Sequence, residues 1–404
     1  MSTYISDYRE YCSNLEVPPS FTTFSSLVSL SALLRRRVWI YKGDYIRIYP
    51  NLYVVLVGPP GCGKNTALEI AEDILHRRQL PVSAESVTRE KLIMDMQTQE
   101  SVLDFLPADD KYRLASPYTV LATELSEFLG AGGIGMISFL TDIYSRNVYE
   151  YRTKNKGSTF IRGPYLSIIA GTTPDWITNY LKDDIISGGF SRRCIFVHEA
   201  GRVDGDAFPR ITPKMHEAWS RVMARSEAIS KLSGQFVWSE GAEKFFRAWY
   251  PKRRLARDVN LTGYYETKDI QLLKVAMLVA ISDGDELILK EDHLIRGLEL
   301  LGLAETNLAR VFQGIGRNEL NQVSVKAMDI LVNSPKKEIE LADKSRLETP
   351  CLPLKQLKAM LWKDANGQDM DGVLKYLKDT DKIGISSFVI NGVPREYIFL
   401  KQPI

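Results

Sequence analysis

The chain has 404 residues, 45% apolar and 25% charged. That balance excludes a mostly disordered, collagen-like or coiled-coil protein and leaves room for about two or three domains. Lys plus Arg number 52 and Asp plus Glu 50, a net charge of +2, so a nucleic-acid surface would have to come from local clustering of cations.

Residues 1–36 read as helical. Phe24, Leu27, Val28, Leu30, Leu33 and Leu34 recur near helical spacing, and Arg35-Arg36-Arg37 close the run. The segment VWIYKGDYIRIYP alternates and turns at Lys42-Gly43-Asp44, which predicts a hairpin. The valine-rich run NLYVVLVG fits a strand covered on both faces, as in a parallel sheet. A glycine-rich turn and the helical pattern TALEIAEDILHRR follow. Residues 80–116 read as loops and short helices, and YTVLATELSEFL as a second buried strand entering a helix. VYEYRTKNKGSTFIRGP predicts a hairpin turning at Asn155-Lys156-Gly157, and YLSIIAGTTP and RRCIFVHE supply two more strands. Strands alternating with helices predict an α/β fold on a parallel sheet.

From about 205 to 320 the pattern is helical, with IQLLKVAMLVAI and HLIRGLELLGLAETNLARVF as its strongest runs. A small unit begins near 321. VKAMDILVN, LPLKQLKAMLW and DMDGVLKYLKD read as helices, and IGISSFVINGVPREYIFLK as a hairpin turning at Asn391-Gly392. The polar segment SPKKEIELADKSRLETP reads as a loop. Three helices followed by a two-stranded wing is the order of a winged helix. The expected divisions are 1–50, a helical segment and hairpin; 51–204, the α/β core; 205–320, a helical lid; and 321–404, the winged helix.

The sharpest motif is Gly58-Pro59-Pro60-Gly61-Cys62-Gly63-Lys64-Asn65-Thr66, set between a buried strand and a helix. The GxxxxGK pattern in that context predicts backbone amides wrapped around a phosphate at a helix N-terminus, with Lys64 reaching the β- and γ-phosphates. The Ser or Thr expected after the lysine is Asn65 here. Magnesium would then be held through the Asn65 amide oxygen or through Thr66.

Val120-Leu121-Ala122-Thr123-Glu124 ends the second strand with a carboxylate that could polarise an attacking water or support the metal. Thr123 stands where an Asp is usual, and Glu127, one turn into the helix, competes with Glu124 for the role. Gly171-Thr172-Thr173-Pro174 ends the third strand with hydroxyls able to position water. Gly188-Gly189-Phe190-Ser191-Arg192-Arg193 precedes the fourth, and its arginines either remain surface charge or reach a neighbour's nucleotide as a finger.

GPPGCGKN, LATE, SIIAGTTP and GGFSRRCIF, in that order, resemble the helicase-like P-loop ATPases of phages, plasmids and mobile islands. More distantly they are similar to minichromosome-maintenance and superfamily III helicases, within the AAA+ class. The resemblance spans roughly 20–310. It implies an AAA+-type sheet with a helical lid, ATP and Mg2+ as cofactors, and a ring, commonly a hexamer. It makes Lys64 the phosphate-binding lysine, Glu124 the catalytic carboxylate, Thr172 or Thr173 the sensor, and Arg192 or Arg193 the finger.

In those families the hairpin before the sensor strand carries a basic tip into the ring channel. Arg152, Lys154 and Lys156 occupy that position here, where cations can follow a phosphate backbone without reading sequence. In the C-terminal unit Lys375 and Lys378 lie on the third helix and Arg395 on the wing, beside Lys355 and Lys358 on the middle helix. Asp364, Asp369, Asp371, Asp379 and Asp381 are interspersed, so this unit reads equally as a DNA contact or a protein-docking surface. Lys252-Arg253-Arg254 with Arg257 reads as a solvated helix end.

The four cysteines (Cys12, Cys62, Cys194, Cys351) and four histidines are scattered, without zinc spacing or a disulfide pattern. The N-terminus lacks a basic-then-apolar leader, and no apolar run reaches the length of a membrane span. The expectation is a cytoplasmic ATP-driven DNA helicase or translocase for replication of a phage or mobile element, working with a primase or initiator encoded elsewhere. The alternative is a slow or non-hydrolysing ATP-switched module that binds DNA or recruits another enzyme. A nucleotide-binding defence protein is a third class, for which the sequence offers no effector domain.

Overall fold

Tyr53–Val57 is buried at every residue, as a strand covered on both faces must be. The computed structural model describes residues 2–130, 134–153, 157–180, 189–203, 205, 208–254, 262–312, 317–340, 346–362, 367–390 and 393–401. The chain divides into two compact units, 1–311 and 312–404.

The first unit opens with α1 (Tyr4–Tyr11) and α2 (Pro19–Leu34), then the hairpin β1 (Val38–Lys42) and β2 (Ile46–Ile48). β3 (Tyr53–Val57) leads through the glycine-rich turn into α3 (Lys64–Arg77). α4 (Arg89–Thr98), β4 (Ser101–Val102), β5 (Leu114–Ala122), α5 (Leu125–Leu129) and α6 (Ile134–Ile143) follow. A second hairpin, β6 (Val148–Thr153) and β7 (Gly157–Arg162), precedes β8 (Pro164–Thr172), α7 (Pro174–Tyr180) and β9 (Cys194–His198). The unit ends with α8 (Pro213–Lys231), β10 (Gly234–Trp238), α9 (Glu240–Trp249), α10 (Thr262–Asp283), β11 (Ile288–Leu289) and α11 (Glu291–Phe312).

The central sheet has the order β4-β5-β8-β3-β9. β5, β8, β3 and β9 run parallel, and the short edge strand β4 runs antiparallel to β5. β8 therefore lies between β3 and β5. Val55, Ala170 and Ala122 share one row of the register. Two residues further on, the chain brings Val57, Thr172 and Glu124 to the same sheet edge.

α2 is buried along nearly its whole length, so it runs through the core rather than across its surface. Its serines are tolerated because their hydroxyls are partnered: Ser25 with Tyr8 at 2.8 Å, Ser29 with Tyr4 at 2.9 Å, and Ser31 with Ser167 at 2.7 Å. Segments 1–50, 51–204 and 205–311 share one hydrophobic core, to which Tyr8, Phe24, Val54, Ile74 and Leu278 all contribute.

The helical reading of 205–320 needs correction. β10 and β11 lie within it and extend the N-terminal hairpin into a sheet of order β11-β10-β1-β2. The helix ends at Lys231, and Gly234, at φ +135°, turns the chain into line with Val38 of β1. The backbone of Phe236–Trp238 then finds its partners in β1 and β11, and its aromatic and β-branched residues suit a strand.

The second unit comprises α12 (Arg317–Val332), β12 (Lys336–Glu340), β13 (Arg346–Pro353), α13 (Leu354–Leu361), α14 (Gly367–Asp379), β14 (Ile383–Ile390) and β15 (Val393–Leu400). Its antiparallel sheet has the order β12-β13-β15-β14. The segment expected as a polar loop is instead the β12–β13 hairpin, with Ile339 opposite Leu347. Its polar composition concealed it, because an edge hairpin needs few apolar residues. The C-terminal hairpin pairs Ile390 with Val393; its turn, Asn391-Gly392, lies outside the described residues. Val323, Leu331, Leu357, Leu374, Ile383 and Ile398 form this unit's core. Among the described residues no helix is long and apolar enough to cross a membrane.

Candidate functional site

The turn between β3 and α3 is built by its glycines. Gly61 and Gly63 sit at φ +79° and +86°, a conformation that side chains with a Cβ rarely adopt. Gly63 is the N-cap of α3, so the first amides of a 14-residue helix face the loop. Lys64 is 6% exposed, and its ammonium donates to the carbonyls of Gly58 at 2.7 Å and Pro59 at 3.0 Å. The lysine is thus folded over the loop that carries it.

A cavity of about 370 Å³ opens on this turn. Pro60, Gly61, Cys62, Gly63, Lys64, Asn65, Thr66 and Glu124 line it, so the glycine loop and the end of β5 meet in one space. Gly58 and Pro59 stand behind that wall, holding Lys64 through their carbonyls. Glu124 is exposed, in extended backbone at the N-cap of α5. Glu127 lines a separate depression with Arg89 and Glu90.

The two threonines of β8 divide in role. Thr173 accepts the Trp176 amide at 3.3 Å and so caps α7. Thr172 is fully buried, and its hydroxyl has no hydrogen-bond partner among the described residues. A buried hydroxyl without a partner costs about 1–3 kcal/mol and calls for an explanation. Its backbone carbonyl accepts the Gly58 amide at 3.2 Å. Gly171 lets the end of β5 and Lys64 come close to β8: a Cβ there would stand 2.5 Å from the Thr123 carbonyl oxygen and 3.6 Å from Lys64 Cδ.

Arg192 and Arg193 do not line the Lys64 cavity of their own chain. Arg192 is exposed. Arg193 is half-buried, donates to the Gly189 carbonyl and lies 5.8 Å from the Tyr144 ring centre. Burial, and then the neighbouring Arg192 charge, push its guanidinium below the usual range. Gly188 lies outside the described residues.

The hairpin before β8 forms with Thr153 opposite Gly157. Lys154 and Lys156 lie outside the described residues. Arg152 is exposed and paired with Glu150 at 2.6 Å, so its charge is partly neutralised on its own strand. In the second unit, Lys375 and Lys378 are exposed on α14, while Lys358 is paired with Asp371 at 2.7 Å. Arg395 lies on β15 opposite Phe388. Arg253, expected at a solvated helix end, is instead buried, with its guanidinium 3.6 Å from the Tyr250 ring centre and 3.7 Å from Asp269. The stem finds an aromatic face there and the charge a carboxylate. Arg257 lies outside the described residues.

Sequence reasoning missed four contributors. Leu15, Glu16 and Arg202 also line the cavity, and Arg202 is ion-paired with Glu16. The Glu16 carbonyl oxygen would be 3.1 Å from a Cβ on Gly63, so the α1–α2 connection packs on the glycine loop. Glu85 accepts a hydrogen bond from the Thr123 hydroxyl at 2.9 Å, bringing a second carboxylate to the end of β5. No local motif marks any of them, because each comes from a connection distant in sequence.

The donor set suits magnesium. An amide oxygen on Asn65, a hydroxyl on Thr66 and the Glu124 carboxylate are hard oxygen ligands, and this ion keeps waters and phosphate oxygens in its shell. Comparison with known proteins finds no matching protein-family model and no matching curated sequence. The functional reading therefore rests on these residues and their geometry.

Proposed function

We propose that this protein is an ATP-driven DNA helicase or translocase of the AAA+ class, acting as a ring with ATP between subunits. One observation carries the reading: Lys64, Asn65, Thr66 and Glu124 line a single cavity at the carboxyl ends of a parallel sheet. The strand order supports it. β8 separates β3 from β5, so a sensor hydroxyl can stand between the phosphate loop and the catalytic carboxylate. The helix–hairpin–helix–helix–hairpin order of 317–400, with β13 beside β15, supports a winged helix in the second unit.

In this mechanism the loop amides and Lys64 hold the β- and γ-phosphates. Magnesium, when bound, neutralises phosphate charge. Asn65 or Thr66, with Glu124, would hold it. Glu124 accepts the proton of the attacking water, and Thr172, buried beside the cavity wall, would act on that water through an intervening one. An exposed arginine from the next subunit, Arg192 by its environment, stabilises the developing charge. Lys154 and Lys156 follow the DNA backbone as the hairpin moves. Lys375, Lys378 and Arg395 would meet duplex DNA or a partner such as a primase or initiator.

The test is magnesium-dependent ATP hydrolysis and strand separation by the full chain. Lys64→Ala should abolish both. Changing Lys154 and Lys156 together to Ala should spare DNA-free hydrolysis and remove unwinding; intact unwinding would sink the hairpin assignment. A second reading, an ATP-switched recruitment module, is favoured by Asn65 and Thr123, which stand where a hydroxyl residue and an Asp are usual. ATP binding with no turnover, with or without single-stranded DNA, would select it.

A further inference from the structure

At the other end of β3 from the glycine loop lies a second cavity, of about 390 Å³. Tyr49 and Asn51, just before β3, and Pro164, which begins β8, form its floor, with Tyr144–Asn147 and Lys274 of α10 on its sides. It therefore opens at the amino ends of the strands, about 16 Å from the phosphate loop for a five-residue strand.

Every charged residue lining this cavity is a cation: Arg36, Arg47, Arg146 and Lys274. Arg36 is 1% and Lys274 3% exposed, and the Arg47 side chain is 2% exposed. Buried charges of one sign are costly unless paired; the partners of Arg36 and Lys274 are neutral, while the exposed Arg146 faces Asp142 at 3.6 Å. Arg36 donates to the Pro164 carbonyl at 2.7 Å and the Asn147 amide oxygen at 2.8 Å. Lys274 donates to the Asn51 carbonyl at 2.9 Å and its side-chain oxygen at 2.5 Å. The Arg47 guanidinium lies over Trp39 at 3.6 Å and Tyr112 at 4.4 Å. Asp110 stands 3.7 Å away, and the Arg47 Nε and Nη2 atoms are buried without a hydrogen-bond partner among the described residues.

We propose that this cavity is a second anion site, separate from the Lys64 cavity, that takes the phosphate group of a small phosphorylated ligand. Guanidinium forks match phosphate oxygens, and the unpartnered Arg47 nitrogens are the donors such a group would complete. Tyr45, Tyr49 and Tyr112 give the cavity aromatic walls against which a nucleoside ring can lie. Burial pushes the Arg36 and Lys274 pKa values down from their ordinary range, and a bound anion would oppose that shift by stabilising the charged forms.

The test uses the full chain carrying Lys64→Ala, which silences the first cavity, titrated separately with inorganic phosphate and with AMP by equilibrium dialysis. Saturable binding is expected, weakened about tenfold or more by Lys274→Met and by Arg146→Ala. Arg146 is exposed, so its variant keeps the fold if Lys274→Met does not. Tighter binding of AMP than of phosphate assigns the tyrosine walls to a nucleoside; equal binding assigns the site to phosphate alone. No saturable binding of either probe, or binding unchanged in both variants, overturns the proposal.

Discussion

The amide of Gly58 donates to the carbonyl of Thr172 at 3.2 Å, which ties the first residue of the glycine loop to the end of the neighbouring strand. The Thr172 hydroxyl is buried beside that bond with no partner among the described residues. In the fold alone this hydroxyl is a liability, since removing an unpaired buried polar group is neutral or stabilising. Its presence makes sense if a ligand or ordered water completes it. Thr172→Val should therefore hold or raise the melting temperature while lowering ATP turnover about tenfold or more. Thr172→Ser should retain most of the turnover. Calorimetry and steady-state phosphate release decide the matter: a variant less stable than wild type but equally active would make the hydroxyl structural.

Glu124 and Glu127 make opposite predictions although they are three residues apart. Only Glu124 reaches the Lys64 cavity. Glu124→Gln keeps the shape and removes the base, so hydrolysis should fall about a hundredfold or more with ATP binding preserved. Glu127→Gln should leave turnover within about twofold, the range of a surface change. Paired binding and turnover measurements on the two variants separate the roles.

Arg192 and Arg193 are neighbours in the chain in different environments. Arg193 is held by Gly189 and Tyr144, and its carbonyl accepts from Gln271 at 2.8 Å. Arg192→Ala should abolish turnover in the assembled state without changing the melting temperature, whereas Arg193→Ala should lower the melting temperature as well. If Arg192 acts across a subunit boundary, mixing Arg192→Ala with Lys64→Ala protein should restore partial activity. Mixtures no more active than either parent would place the arginine's role within its own chain.

The parallel sheet was legible because its strands are continuous apolar runs: YVVLV cannot lie on a surface, and the glycine motif follows it directly. The candidate site was legible wherever a motif is local, as at Lys64 and Glu124. It was not legible where the fold recruits distant loops. Glu85 reaches Thr123 across 38 residues, and Glu16 and Arg202 meet at the cavity from connections far apart in the chain. β10 and the β12–β13 hairpin were missed for the opposite reason. Short segments such as these become strands only because a neighbouring edge offers ladder partners, which no window of sequence contains.

His293 predicts an acid sensitivity. Its Nδ1 accepts the Lys290 amide at 3.1 Å near the start of α11, so the ring is held neutral at that atom. Burial lowers its pKa below the ordinary 6.5, and the nearby Asp283 only partly opposes this. The unfolded chain then binds the proton more readily than the folded one. The stabilising contribution is present above about pH 6.5 and is lost as the pH falls below it. Protonation also places a hydrogen where the Lys290 N–H points. Between pH 7 and 5 the wild type should lose more stability than His293→Gln, whose amide oxygen can accept the same bond without titrating. Denaturant melts at both pH values measure the difference, and parallel slopes for the two proteins would remove His293 as the cause.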